Sequence, residues 1–194
     1  MEAQTATPDI PVVRTGFSAY AGTIGSRIAS MTMNVLNGLS VGIIVALIPG
    51  ALLNAILKYL LPVLPQVKVV LTMTAIAQVL LPAVSAVCVG MMARFTTIQT
   101  ASLALAAAIG AGNMRMTGNG LTVSGTGDVI NLAVTIAVGC LLIELLGDAL
   151  KAYTILLIPT IVALVAGGLG LVTLGPVSSI TRWIGIGVEG LTSV

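Results

Sequence analysis

Residues 35–57 read VLNGLSVGIIVALIPGALLNAIL, a run without one charged side chain. About twenty apolar residues are enough for a helix to cross the hydrocarbon core of a bilayer. The stretch therefore predicts a transmembrane helix, interrupted only by Pro49. Gly38, Gly42, Ala46 and Gly50 recur at every fourth position and share one helical face. Small side chains at that spacing let a neighbouring backbone approach closely, so this face is expected to pack on protein rather than on lipid.

Reading outward, Lys58 and Tyr59 close the run, and Pro62 and Pro65 follow. A second span is expected over 69–92, with Gln78 and Pro82 inside it and Arg94 after it. A third covers 129–147 and holds Asn131 and Glu144; Asp148 and Lys151 follow as an interfacial charge group. A fourth covers 154–174, with Pro159 and a small-residue group from Ala163 to Gly170, and Gly175-Pro176 is expected to end it. The alanine-rich stretch 97–111 is too short for an upright crossing and reads as a re-entrant or broken half-helix. At the margins, 1–31 reads as a polar tail followed by an amphipathic helix with Phe17, Tyr20, Ile24, Ile28 and Met31 on one side. Residues 177–194 read as a second interfacial helix anchored by Trp183. The expected domains are thus 1–31 and a transmembrane domain, 32–194.

Composition agrees with this pattern. The chain is 57% hydrophobic and 7% charged, where a soluble domain carries roughly a quarter charged residues. In lipid every backbone polar group must be satisfied internally, by helices or by a closed barrel. Long continuous apolar runs, without alternation, select helices. The fold class is all-α: a polytopic transmembrane helical bundle with a re-entrant or broken half-helix and interfacial amphipathic helices. A net charge of +2 without a basic cluster argues against nucleic acid. The chain has no histidine, which removes the commonest general base and metal ligand. Cys88 and Cys140 sit in apolar runs and read as small buried hydrophobes. Neither an enzyme nor a bound cofactor is expected. If 97–111 turns back, Arg14, Arg27, Arg94, Arg115 and Arg182 share one side, and the positive-inside rule puts the N-terminus in the cytoplasm. If it crosses, the basic residues divide equally.

The most polar part of the body is 112–128, GNMRMTGNGLTVSGTGD. Asp128 and Asn131 lie three apart and share a helix face. Polar groups at membrane depth tend to face a cavity or a partner, and broken backbone near a helix start is a common transporter binding device. Asp128, Asn131 and Thr126 are therefore candidate hydrogen-bonding partners for a polar ligand. Against this, Asp128 reads equally as a carboxylate favoured by the helix dipole. Asn113 and Arg115 could line a substrate path or sit in a solvated loop. Gln78 precedes Pro82 by four residues, where proline frees a carbonyl; its amide suits a cavity wall or a helix–helix hydrogen bond.

At Leu36-Asn37-Gly38, Ile48-Pro49, Ala77-Gln78, Leu81-Pro82 and Gly125-Thr126-Gly127-Asp128 the chain resembles the membrane (IIC) subunits of the bacterial phosphotransferase sugar-transport system. The branch it is most similar to is that of the toxin regulators related to perfringolysin control. Phe95-Thr96 to Gln99-Thr100, Ile158-Pro159 and Gly167 to Pro176 extend the likeness over about 34–190. The resemblance implies a multi-pass permease component of the bacterial inner membrane, corresponding to the N-terminal half of longer relatives. It would bind and translocate a sugar-like substrate, with phosphorylation left to partner subunits. Membrane lipid and further copies of the chain are the other expected neighbours. A non-transporting membrane regulator or sensor is the competing implication.

Overall fold

The computed structural model describes residues 16–118, 120–123, 125–147 and 153–192. Asp148 and Lys151, expected to close the third span, lie outside them, as does most of the polar tail. The chain divides into two compact units, 1–30 and 31–194. In the first, residues 16–30 are helical and the Ser30 hydroxyl donates to the Arg27 carbonyl.

Helix α1 covers Gly16–Leu60, and its stretch within the second unit carries the glycine stripe. Pro49 sits inside it without ending it; a membrane helix tolerates the one backbone bond proline forfeits. α2 (Val67–Val79) and α3 (Leu81–Met92) meet at Leu80 with a 49° bend. Pro82 lies in the first turn of α3, where its missing N–H would be unpaired anyway. The stripe on α1 meets this bent pair. A β-carbon on Gly38 would run into the backbone of Val89, one on Gly42 into that of Ser85, and one on Gly50 into the amide of Gln78. These pairings run α1 and α3 antiparallel, and Ala46 between them is buried.

After α3 the chain reverses at Arg94, which adopts φ 57°, the left-handed conformation that closes a helix. Phe95 N–H donates back to the Gly90 carbonyl across this turn. α4 (Thr97–Gly110) then starts on a capping box. Thr96 Oγ1 accepts from Gln99 N–H, and the Gln99 side chain accepts from Thr96 N–H. α4 is the centre of the bundle, packed by α3, α5 (Val129–Gly147), α6 (Thr154–Val162), a π-helical turn (Ala163–Gly167) and α7 (Gly168–Thr192). Its alanines make this possible: Ala106 and Ala107 are fully buried among Leu103, Leu132, Ile136, Ile158 and Val162. The outer faces carry exposed Leu52, Ile56, Leu164 and Val172, as a lipid-facing surface does.

Among the described residues three helices are long and apolar enough to cross a membrane, or four if the bent pair is one span. With this helical content the protein is an all-α, polytopic membrane bundle. Three local outcomes differ from the expectations. α7 runs through Gly175-Pro176 to Thr192 instead of ending there. The segment after α4 is a β-hairpin rather than a loop: β1 (Met114–Thr117) pairs antiparallel with β2 (Gly120–Val123). Finally, the expected second span bends by 49° at Leu80. Leu103 faces Gly139 and Gly110 faces Asn131, so α4 runs antiparallel to α5. Arg94 and Arg115 lie beyond opposite ends of α4, about 21 Å of helix apart for its 14 residues.

Candidate functional site

The polar residues of 112–131 gather where α4 ends and α5 begins. Gly127 has φ 77° and packs on the Ala111 carbonyl so closely that a β-carbon would collide with it. Only glycine permits that approach. The next amide, Asp128 N–H, donates to the same carbonyl at 3.2 Å. This fastens the start of α5 to the end of α4.

Asp128 is half-buried and caps α5. Its Oδ1 accepts from Ile130 N–H at 2.9 Å and Asn131 N–H at 3.1 Å. Its Oδ2 accepts from the Thr181 hydroxyl at 3.1 Å, which ties the cap to α7. Asn131 is completely buried. Both of its amide hydrogens are used, donating to Gly110 O at 2.7 Å and Gly170 O at 2.8 Å. Its Oδ1 accepts from the Thr173 hydroxyl at 2.7 Å. Gly110 is the last residue of α4, so its carbonyl lacks a helical partner and Asn131 supplies one. Thr135, one turn on, returns its hydroxyl to the Asn131 carbonyl. Asn131 is thus a three-helix clamp, and in this conformation it has no free N–H for a ligand.

Asn113 is 1% exposed and joins this junction to the broken helix. Its Nδ2 donates to the Val79 carbonyl at 2.8 Å, at the bend between α2 and α3. That carbonyl fixes the orientation of the amide, since the reversed side chain would set two oxygens together. Asn113 Oδ1 is buried and has no hydrogen-bond partner among the described residues. Such an orphan costs roughly 1–3 kcal/mol unless something fills it. Beside it lies a cleft of about 500 Å³ between α2 and the end of the hairpin, lined by Thr72, Ala75, Gln78, Val79, Val123 and Gly125. Gln78 is half-buried there, its amide against Gly50. Thr126, half-buried, follows the cleft-lining Gly125 and makes only a 3.4 Å contact to the Gly127 carbonyl.

The structure therefore sorts the sequence candidates. Gln78 lines the cleft, Asn113 bonds the carbonyl of the cleft-lining Val79, and Thr126 follows the cleft-lining Gly125, while Asp128 and Asn131 hold α4, α5 and α7 together. Arg115 is exposed on β1 and faces Thr122 across the hairpin. Sequence reasoning missed Thr173 and Thr181, whose partners are 42 and 53 residues away. It also missed the hairpin, although Asn119-Gly120 between Met114/Met116 and Leu121/Val123 is a recognised hairpin signal. Among the described residues no three His, Cys, Asp or Glu side chains come together as metal ligands would.

A family model described as "Phosphotransferase system, EIIC" matches residues 33–194. Neither a curated protein nor a solved structure matches the chain.

Proposed function

The chain belongs to the phosphotransferase-system EIIC family, and from that premise we propose that it binds a sugar-like polyol at the cleft between α2 and the hairpin. As an EIIC protein it is an integral membrane, permease-type component. In our reading its membrane is the bacterial inner membrane, and phosphoryl transfer belongs to partner subunits, since the chain has no histidine to carry phosphate.

The observation that carries the polyol reading is Asn113. A fully buried amide has one end held at the carbonyl of the cleft-lining Val79, and its other end is an acceptor without a partner among the described residues. A polyol hydroxyl is the donor such an acceptor lacks; on the cleft itself the Gln78 amide offers a donor and an acceptor, and Thr72 Oγ1, whose proton goes to the Lys68 carbonyl, offers an acceptor. Thr126 adds a weakly engaged hydroxyl. Asp128 and Asn131 act in this reading as positioning residues: they fix the junction from which Asn113 and Thr126 reach the site.

The test is a thermal-shift screen of the detergent-solubilised full chain against hexoses, hexitols and pentitols. One polyol class should raise the melting temperature. Gln78→Leu should abolish that shift while leaving the unliganded melting temperature near its original value. If no polyol stabilises the protein, the reading fails and a non-transporting membrane regulator becomes the better description.

A further inference from the structure

A second cleft shares no lining residue with the first. It holds about 870 Å³ between α4, the hairpin and α7, with Leu105, Ile109, Met116, Leu121, Leu171 and Leu174 on its walls. Further along α7 lies a smaller hollow of about 370 Å³ formed by Ser178, Ser179, Arg182, Trp183 and Ile186. Ser178 lines both, so the two adjoin on α7. One end of the combined groove is apolar; the other carries two hydroxyls, a guanidinium and an indole.

We propose that this groove seats an anionic phospholipid, with an acyl chain in the apolar cleft and the phosphate against Ser178, Ser179 and Arg182. Three observations converge on that occupant. The first is charge. Arg182 and Arg115, which lines the apolar cleft, have no carboxylate partner among the described residues. The nearest acid along the chain fold, Asp128, has both oxygens committed to the α5 cap and to Thr181. Glu189 lies two turns further along α7. The second is length. From Leu171 to Arg182 is eleven residues, about 16 Å of helix, which matches the roughly 15 Å depth of one acyl leaflet, half the hydrocarbon core. The third is Trp183, 74% exposed beside Arg182, in the residue pairing that marks a headgroup boundary. A guanidinium binds phosphate through a fork of donors, and the Ser178 hydroxyl extends that donor set, while the Ser179 hydroxyl donates to the Gly175 carbonyl. The proposal is independent of the polyol reading, whose cleft has other lining residues.

Trp183 is the only tryptophan of the chain, so its fluorescence reports on this groove alone. The full-length chain is reconstituted in phosphatidylcholine vesicles containing, at equal mole fraction, either phosphatidylglycerol or phosphatidylcholine brominated on the acyl chains. The brominated anionic lipid should quench Trp183 with about fivefold higher apparent affinity, the gain expected of one cation at the surface. Arg182→Gln should remove the preference and Arg182→Lys should keep most of it. Rising salt should erode it in the parent protein, a measurement that needs no variant. Gly175→Leu places a side chain where a β-carbon meets nothing within 4 Å. It should therefore fill the apolar cleft and weaken quenching with Arg182 intact. Equal quenching by both lipids would mean an unselective annulus and would overturn the proposal. So would quenching by neither; recovery of quenching on dilution into excess lipid would then identify a second copy of the chain as the occupant.

Discussion

Two of the helix contacts that depend on glycine in this molecule are built on different physics. Where α1 crosses α3, Gly38 and Gly42 let the backbones of Val89 and Ser85 come close, and among the described residues no hydrogen bond joins the two helices there. Where α4, α5 and α7 converge, Gly110 and Gly170 approach just as closely, but Asn131 bonds both of their carbonyls and Thr173 bonds Asn131. The first contact is held by shape alone. The second is held by shape and by a fully engaged amide that meets a helix-end carbonyl. In lipid, apolar burial gives little preference for helix–helix over helix–lipid contact, so packing and hydrogen bonds decide association. A shape-only contact is consequently intolerant of added volume, whereas the clamped contact is sensitive to loss of polar groups.

That contrast orders the expected effects. Gly42→Leu should be the most damaging, because its side chain collides with the Ser85 backbone rather than with a movable tip. Overpacking costs about 1–3 kcal/mol and occasionally more, and with backbone struck this variant belongs at the upper end; it should show little folded, detergent-stable population by size-exclusion chromatography. Gly185→Leu, where nothing lies within 4 Å, is the control and should fall within about 0.5 kcal/mol of the parent. If both are tolerated, the stripe does not pack on α3. Next comes Asn131→Leu. It removes three interhelical bonds worth about 0.6 kcal/mol each in membranes, or about 2 kcal/mol together. Thr173→Val removes one of them and should cost about a third as much. A denaturation series giving equal losses for Thr173→Val and Asn131→Leu would show that the amide is not the clamp.

The two contacts also differ in how legible they are from sequence. The stripe at 38, 42, 46 and 50 is a local periodicity, and the helical class follows from uninterrupted apolar runs; both can be read without a partner in view. The clamp cannot, since Asn131 finds its partners 21, 39 and 42 residues away. From sequence an intramembrane asparagine beside an aspartate suggests a ligand-facing pair. The fold turns one into a three-helix clamp and the other into a helix cap. Pro82 signalled a freed carbonyl at Gln78 within one expected span, but neither the 49° bend at Leu80 nor the docking of Asn113 on Val79 was legible. α7 was read as two elements because Gly-Pro ordinarily punctuates a chain; in a long membrane helix a single missing N–H is a small loss.

The smallest expected effect has the opposite sign, and it tests the shape-only contact from the α3 side. Ser85 is completely buried beneath Gly42, and its Oγ has no hydrogen-bond partner among the described residues. A buried serine in a helix commonly returns its proton to the carbonyl one turn back, as Ser40 and Ser102 do here; Ser85 does not. Ser85→Ala removes an unsatisfied hydroxyl while keeping the β-carbon and nearly the same volume. It should therefore be neutral or stabilise by up to about 1 kcal/mol, read as a small rise in the detergent melting temperature with no change in oligomeric state. A loss of stability would mean that Oγ accepts a Cα–H contact from Gly42, a bond worth about half a conventional one. The α1–α3 crossing would then carry polar bonding of its own, and the division between a shape-held and a bond-held contact would no longer stand.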